Sequence, residues 1–536
     1  MFLKRKFEIF LLVIFFLFSF WLMYKSFGYD DKKHDFRIAR HQVGDFGLHL
    51  SLIRSFSWGN NFPAESPFFP GRPLPYHYYF DLLTGLLERA GLRMDIAFNG
   101  LSILFFTLLL FLIYKLPLLI FKKSRLLGIL SVILFIFHSN LAFIDFFKEK
   151  RLSLSTLRDF WLLPDYIHKG PFDGSIISIF FTLNVYLNQR HLIMAFAISL
   201  TIIYFLLSKL IKVQKISNKV LILLGLVLGF LSRVHTLTFF STAVVLFLLF
   251  ILFKRSRLLV PLFVSAVAIF FFHAKDIVGQ DLNHIFFNPG FLSEKPLSFM
   301  NFIYFWGMNL GLAIILIPCG FFLSGRKQKL IFLSVFSLFM IGNIFQLSFL
   351  IDHNHSLFNL FIIFANFYIA YFLVTLLSRY NNFVGRAIFI FLVLLLTMSG
   401  SIDLMAVKND FQLHLNDAPS DRFMQWIKTS TKQNDIFLAK QEILDPITLS
   451  GRKSYLGHQY YLSVMGYNYS ERLNLVKSFY EAPDLKIISR MRKENIAYIT
   501  VPAKPIIDFN YTVNFVYLDK YLQKVYEDSK VIVYKL

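Results

Sequence analysis

A mainly α-helical, polytopic membrane fold of about eleven spans, followed by an extramembrane α/β domain, is the class this 536-residue sequence predicts. The chain is 56% hydrophobic with 68 phenylalanines, and its apolar residues come in blocks rather than interspersed with charge as in soluble domains. Stretches such as Phe10 to Trp21, Leu101 to Ile113 and Ala387 to Met398 contain no charge, so they lack the polar face that a water-soluble helix needs. Basic residues cluster between the blocks, and the composition turns to mixed polar and apolar after Met405.

A spanning helix needs about 20 apolar residues, because the hydrocarbon core is about 30 Å thick and the backbone must satisfy itself. That length places spans near 7–27, 98–120, 126–145, 191–211, 218–234, 236–253, 258–274, 302–323, 330–351, 357–378 and 387–403. The first block follows Lys4, Arg5 and Lys6 but lacks a small-residue cleavage site, so it reads as a retained helix rather than a signal peptide. Lys122, Lys123 and Arg125 form one basic cluster; Lys209, Lys212, Lys215 and Lys219 form another. Lys254, Arg255 and Arg257, then Arg326, Lys327 and Lys329, then Arg379 and Arg386 complete the series. All fall on one side in this topology, which is the positive-inside pattern of cytoplasmic loops. The formal net charge of +22 therefore points to a lipid bilayer as partner and not to nucleic acid.

The N-terminus is expected in the cytoplasm and the C-terminus outside. Residues 1–405 form the membrane domain with outer loops 28–97, 146–190 and 275–301, and residues 406–536 form a separate outer domain. Within the second loop, "SIISIFFTLNVYL" is too short for a span and suits a re-entrant or interfacial helix. In the tail, "RFMQWIKTST" and "ERLNLVKSFYEA" read as helices, and "DIFLA", "NIAYITV" and "VIVYKL" as strands. The single cysteine, Cys319, excludes an internal disulfide.

The stretch from His41 to Ala90 concentrates ionisable groups beside a span, where they persist only when facing water, a partner or a substrate. Asp45 can cap the helix that begins at "LHLSLI", with His49 on the same face. It can equally act as a general base on an incoming hydroxyl, a poor nucleophile until a carboxylate takes its proton. His41 and His49 flank it at equal spacing and suggest a divalent cation, although Gly44 and Gly47 argue against a continuous helix there. Farther on, "RPLPYHYYFDLL" sets Tyr76, Tyr78 and Tyr79 beside His77 and Asp81. Its prolines stiffen the loop, and its rings offer flat faces to a sugar or isoprenoid, or form an aromatic belt at the interface.

Asp45 soon after the first span, His49 four residues later, "SLIRSF" leading into "NNFPAESPFFPGRPLPYHYYFDLLTGLL", and many further spans before an outer domain together resemble the GT-C superfamily of integral membrane glycosyltransferases. The resemblance covers the whole architecture, and its residue-level content is confined to this loop. It implies transfer of a sugar from a polyprenyl-phosphate carrier to a glycan, lipid or protein acceptor on the outer side of a bacterial plasma membrane. It also implies an acidic base in the first outer loop. Carried over, that base is Asp45, with Asp30, Asp31 and Asp35 as alternatives in the same loop.

A polyprenyl-phosphate donor needs cations near the outer surface. Arg72, His77, Arg190, His191, Arg233 and His235 are candidates, since Arg pairs with phosphate through two donors and His can supply a proton. Arg190 can also be a simple helix-end anchor, whereas Arg233 and His235 interrupt an apolar hairpin where their cost demands a partner. Asp352 and His353 in "IDHNHSLFN" mark a polar turn that could hold a metal or phosphate. Arg452 and His458, with Gly451 and Gly457, lie in a glycine-containing loop suited to close approach of a ligand or of the membrane domain. Two other functions fit a polytopic chain. A transporter or flippase of lipid-linked sugars predicts related halves or broken helices, and the sequence displays neither. A non-catalytic scaffold leaves the clustered ionisable residues without a purpose.

Overall fold

In a computed structural model of the chain, the described residues are 2–148, 153–168, 170, 174–273, 285–504, 509 and 511–536. They form two compact units, one of Met1–Ser26 with Ser102–Phe411 and one of Phe27–Leu101 with Gln412–Leu536. Parts of the expected outer loops 146–190 and 275–301, and the end of the expected span 258–274, lie outside the described residues.

The first unit is helical. Among the described residues, seven helices are long and apolar enough to cross a membrane: Lys6–Ser26, Met94–Phe121, Arg190–Ile211, Thr236–Phe253, Arg326–Ile344, Ile351–Arg379 and Phe383–Asn409. An eighth is reached if Phe299–Leu310 and Ala313–Leu323, bent by 84°, count as one broken span. Every apolar segment expected to span does contain helix, yet about eleven full spans are not found among the described residues. Arg125–Ile136 and Asn218–Val234 have only 12 and 17 residues, or about 18–26 Å of rise against a core of about 30 Å, and Leu259–His273 ends where the described residues do. The broken helix is likewise not announced by the sequence. Its turn falls at Gly311, whose φ of 54° ends the first arm in a conformation that glycine adopts readily.

The second unit is an α/β fold. Its five-stranded sheet runs in the order Lys453–Ser454, Ile436–Leu438, Ile496–Pro502, Val531–Lys535 and Gln523–Glu527. The first three strands are parallel, and the last two pair antiparallel. The tail helices form where expected, at Arg422–Ser430 and Ser470–Glu481. A second, antiparallel sheet joins Phe27–Asp30, Asp35–Ala39 and Gln412–Asn416, with Asp35 opposite Asn416 and Ala39 opposite Gln412.

The expected boundary lay at 405/406, whereas the compact units group residues 27–101 with the tail. Leu48, Leu52, Phe56 and Phe68 share one buried cluster with Tyr455, Leu462, Phe479 and Ile499, and burying each such side chain contributes about 1.5–3 kcal/mol.

Asp445 titrates within this fold. It caps Pro446–Leu449, its Oδ1 accepting from the Ile447 amide at 2.9 Å. Burial pushes its carboxyl up to about 8, with the capping bond opposing the shift. Because the folded value lies above the unfolded value of about 3.9, its contribution to stability is complete below pH ~4 and is lost as pH rises to ~8. Asp445→Asn keeps the cap without the charge. It is expected to raise the thermal midpoint by several degrees at pH 8 and to leave it unchanged near pH 4. An equal shift at both values would refute this account.

Candidate functional site

The helix Val43–Ser57 follows a single 3-10 turn, Arg40–Gln42, and Gln42 occupies its cap position. Asp45 thus sits inside the first turn and is not the cap, contrary to one sequence expectation. A carboxylate there complements the positive end of the helix dipole. The helix also runs unbroken through Gly44 and Gly47, contrary to the other. At Gly47 a Cβ would collide with the Ile443 carbonyl and the Tyr461 hydroxyl, so glycine is what lets the tail lie directly against the helix. Tyr461 secures this approach by donating to the Gly44 carbonyl at 2.5 Å.

One turn beyond Asp45, His49 is buried, and its Nδ1 lies 3.0 and 3.1 Å from the two carboxylate oxygens of Asp81. Asp81 comes from the first turn of the helix Tyr79–Arg89 and is itself buried. Burial raises its carboxyl above the usual range, and the charge and hydrogen bond of His49 pull it back. Asp45 is only half-buried, and loss of solvation raises its carboxyl too, with His49 again opposing. The Tyr76 ring stands 6.1 Å from the imidazole. Burial, then the charges of Asp81 and Asp45, then Tyr461 hold the Tyr76 phenol protonated well above its ordinary value.

Three chain segments thus bring together Asp45, His49, Tyr76, Asp81 and Tyr461. The arrangement provides one accessible carboxylate with raised basicity and an imidazole oriented through Nδ1 by a second carboxylate, a pairing suited to proton transfer. His41, by contrast, has Nε2 3.3 Å from the Arg40 guanidinium, while His49 turns to Asp81, so their equal spacing about Asp45 has these partners to account for it.

The other sequence candidates of this unit fall nearby or elsewhere in it. His77 stacks on Tyr76 at 4.1 Å, Tyr78 packs on Phe56 at 5.7 Å, and Tyr79 meets Tyr78 edge-on at 5.4 Å. Arg72 is exposed and borders a separate cavity of about 330 Å³ beside Arg472 and Glu471. His458 precedes the helix Gln459–Val464, its ring 5.7 Å from that of Tyr461. Arg452 is buried and donates to the carbonyls of Ile427, Lys428 and Thr431 at 3.0–3.2 Å. It thereby closes the C-terminal end of Arg422–Ser430, where carbonyls lack helical partners, and serves as a brace of the fold.

Sequence reasoning missed a second buried group. Arg54 lies 2.8 Å from Asp417 and 3.4 Å from Glu88, the latter also accepting from the Ser57 hydroxyl at 2.6 Å. The Arg54 guanidinium rests 3.3 Å from the centroid of the Trp58 ring. The signal was present in "SLIRSF", since an arginine on an apolar helix face requires partners.

In the helical unit, Arg190 opens its helix fully buried, donating to the Leu187 carbonyl at 2.8 Å and the Ser26 hydroxyl at 2.5 Å. It also contacts Met23 and so fastens the end of the first span. The rings of His191 and His235 stack at 5.4 Å, which brings the basic pairs Arg190–His191 and Arg233–His235 together. His235 caps Thr236–Phe253 through Nδ1, which accepts from the Thr238 amide at 3.1 Å. Arg233 is buried in the preceding helix end. Asp352 and His353 occupy the turn Ile351–Asn354, where His353 Nδ1 pairs with the Ser348 hydroxyl at 2.7 Å.

Spans and composition define a multi-pass membrane protein that carries an α/β unit. Residues 4–163 match the model of a family described as uncharacterized membrane protein (DUF2298). Among solved structures, the chain is similar to the oligosaccharyltransferase of Archaeoglobus fulgidus, crystallised with a disulfide-tethered acceptor peptide containing the NVT sequon. Identity is 11% and the TM-score 0.48, over 93% of this chain and 69% of that one. No curated protein matches the chain.

Proposed function

We propose that the protein is a membrane glycosyltransferase that moves a sugar from a polyprenyl-phosphate carrier to an acceptor hydroxyl or amide on the non-cytoplasmic side. The observation that carries this reading is the setting of Asp45: a half-buried carboxylate with raised basicity, one helical turn from an imidazole that Asp81 holds in place. Asp45 takes the proton of the acceptor as the new bond to the anomeric carbon forms. The bond from that carbon to the phosphate oxygen breaks, and polyprenyl phosphate leaves with the electron pair. Inversion at the anomeric carbon follows from a single displacement. His49 is a positioning residue that acts through its charge on Asp45, and Tyr76 offers a ring to the sugar. A departing phosphate needs cations, and Arg190 and Arg233, with His191 and His235, are the ones that the sequence of the helical unit offers.

The 84° break between Phe299–Leu310 and Ala313–Leu323 favours a second reading, a flippase of lipid-linked sugars, because broken helices recur in transporters. One experiment separates the two. Purified protein is incubated with a radiolabelled polyprenyl-phosphate sugar, both in detergent with candidate acceptors and in liposomes. A transferase releases the label from phosphate onto the acceptor. Movement of the intact lipid across the liposome bilayer without such release would establish the flippase, and neither outcome would leave a scaffold.

A further inference from the structure

The α/β unit carries an open cavity of about 990 Å³, large enough for a short saccharide. Lys428, Lys432, Arg452 and Arg492 line it, against the single acidic side chain of Asp435. The cations come from separate segments: the end of Arg422–Ser430, the turn leading to Ile436–Leu438, the strand end before Lys453, and the end of Leu485–Lys493.

Cations at helix C-termini often do no more than complement the dipole, and Arg452 does that here through its carbonyl bonds. Lys428 and Arg492 also stand in the last turns of their helices, so the dipole accounts for part of their placement but not for the whole group. Lys432 lies beyond its helix, and Lys428 is turned onto the Trp58 ring, 3.7 Å from its centroid. There burial, and then repulsion from Arg54, depress the Lys428 ammonium below its ordinary value. Asp417 and Glu88 oppose that shift, and an anion in the cavity would add to their attraction for the ammonium. Beside the cations stand the amides of Gln433, Asn434 and Asn495, which present donors and acceptors together, as sugar hydroxyls require.

We propose that this cavity binds an anionic saccharide, a sugar bearing phosphate or carboxylate within a larger glycan. As the acceptor class of the transferase, the assignment rests on the function proposed above; as a binding site, it does not.

The test uses the full chain in detergent micelles and isothermal titration with glucose 6-phosphate, glucuronate, glucose and inorganic phosphate. At least one anionic sugar is expected to bind about tenfold or more tightly than glucose and inorganic phosphate, and more weakly as salt is raised. Which of the two binds identifies the charged group. Lys432 and Arg492 are exposed, so Lys432→Gln with Arg492→Gln is expected to leave the thermal midpoint unchanged while weakening binding about tenfold. Asp45→Asn is expected to bind normally, so loss of transfer and loss of this site are read separately. Absence of binding by both anionic sugars, phosphate binding as tightly as either, or full affinity in the double variant would overturn the proposal.

Discussion

Asp45→Asn is expected to lower transfer from a polyprenyl-phosphate sugar by about 10²–10⁴-fold, the range for loss of a general base, while the chain remains folded. Asparagine keeps the shape of the side chain and cannot accept the acceptor's proton. It also removes the unfavourable desolvation that raises the Asp45 carboxyl, so no loss of stability accompanies the loss of rate. Near-normal turnover in the variant would remove Asp45 from the mechanism. The pH profile offers a second measurement. A base must be ionised, so transfer should fall as pH drops through the Asp45 value, which lies above the ordinary carboxylate range of about 3.9. Because the charge of His49 opposes the upward shift, His49→Gln should move this acid limb to higher pH. A merely structural histidine would change the amount of folded protein and leave the limb where it was.

Arg54→Met is expected to cost the α/β unit about 3–5 kcal/mol, the penalty for stranding a buried charge. Arg54 and its partners Glu88 and Asp417 are 2%, 6% and 8% exposed at their side chains. Burial already pushes the Glu88 carboxyl up, and Arg54 is the first influence holding it down. Without the guanidinium, both acids must take up protons or admit water. Adding Glu88→Gln and Asp417→Asn to Arg54→Met should therefore recover most of the loss. Denaturant unfolding of the three chains, followed by proteolysis of the unit, measures the effect. A single variant as stable as the parent would show that the group contributes nothing net.

What the sequence made legible was local. Blocks without charge became helices in each expected segment, and "DIFLA", "NIAYITV" and "VIVYKL" became strands, because hydrophobic period and length act over a few turns. Span count was less accessible: whether Arg125–Ile136 reaches across a bilayer depends on where the helix stops, and the mixed run "FHSNLAFI" that follows does not announce that point. The unit boundary was not readable at all. It depends on Asp35–Ala39 pairing with Gln412–Asn416 and on Leu48, Leu52 and Phe56 finding Tyr455 and Phe479, contacts that no local pattern records.

The candidate site divides the same way. Asp45, His49, Tyr76 and Asp81 stood close in sequence and stand close in space. Tyr461, Asp417 and Glu88 enter from elements whose positions only the tertiary fold sets. Arg452 both braces a helix end and borders the larger cavity, and the sequence does not separate those two roles, because an arginine that caps a helix and one that awaits an anion have the same sequence neighbours.

The divided make-up of the α/β unit has a consequence for biosynthesis. At about 5–20 residues per second, tens of seconds pass between emergence of Leu101 and of Gln412 from the ribosome, while Ser102–Phe411 is being delivered to the bilayer. Throughout that interval Leu48, Leu52 and Phe56 await the residues that will cover them, a nascent segment of the kind chaperones protect. A lesion that stalls any intervening helix during insertion would therefore first be seen as aggregation of the α/β unit.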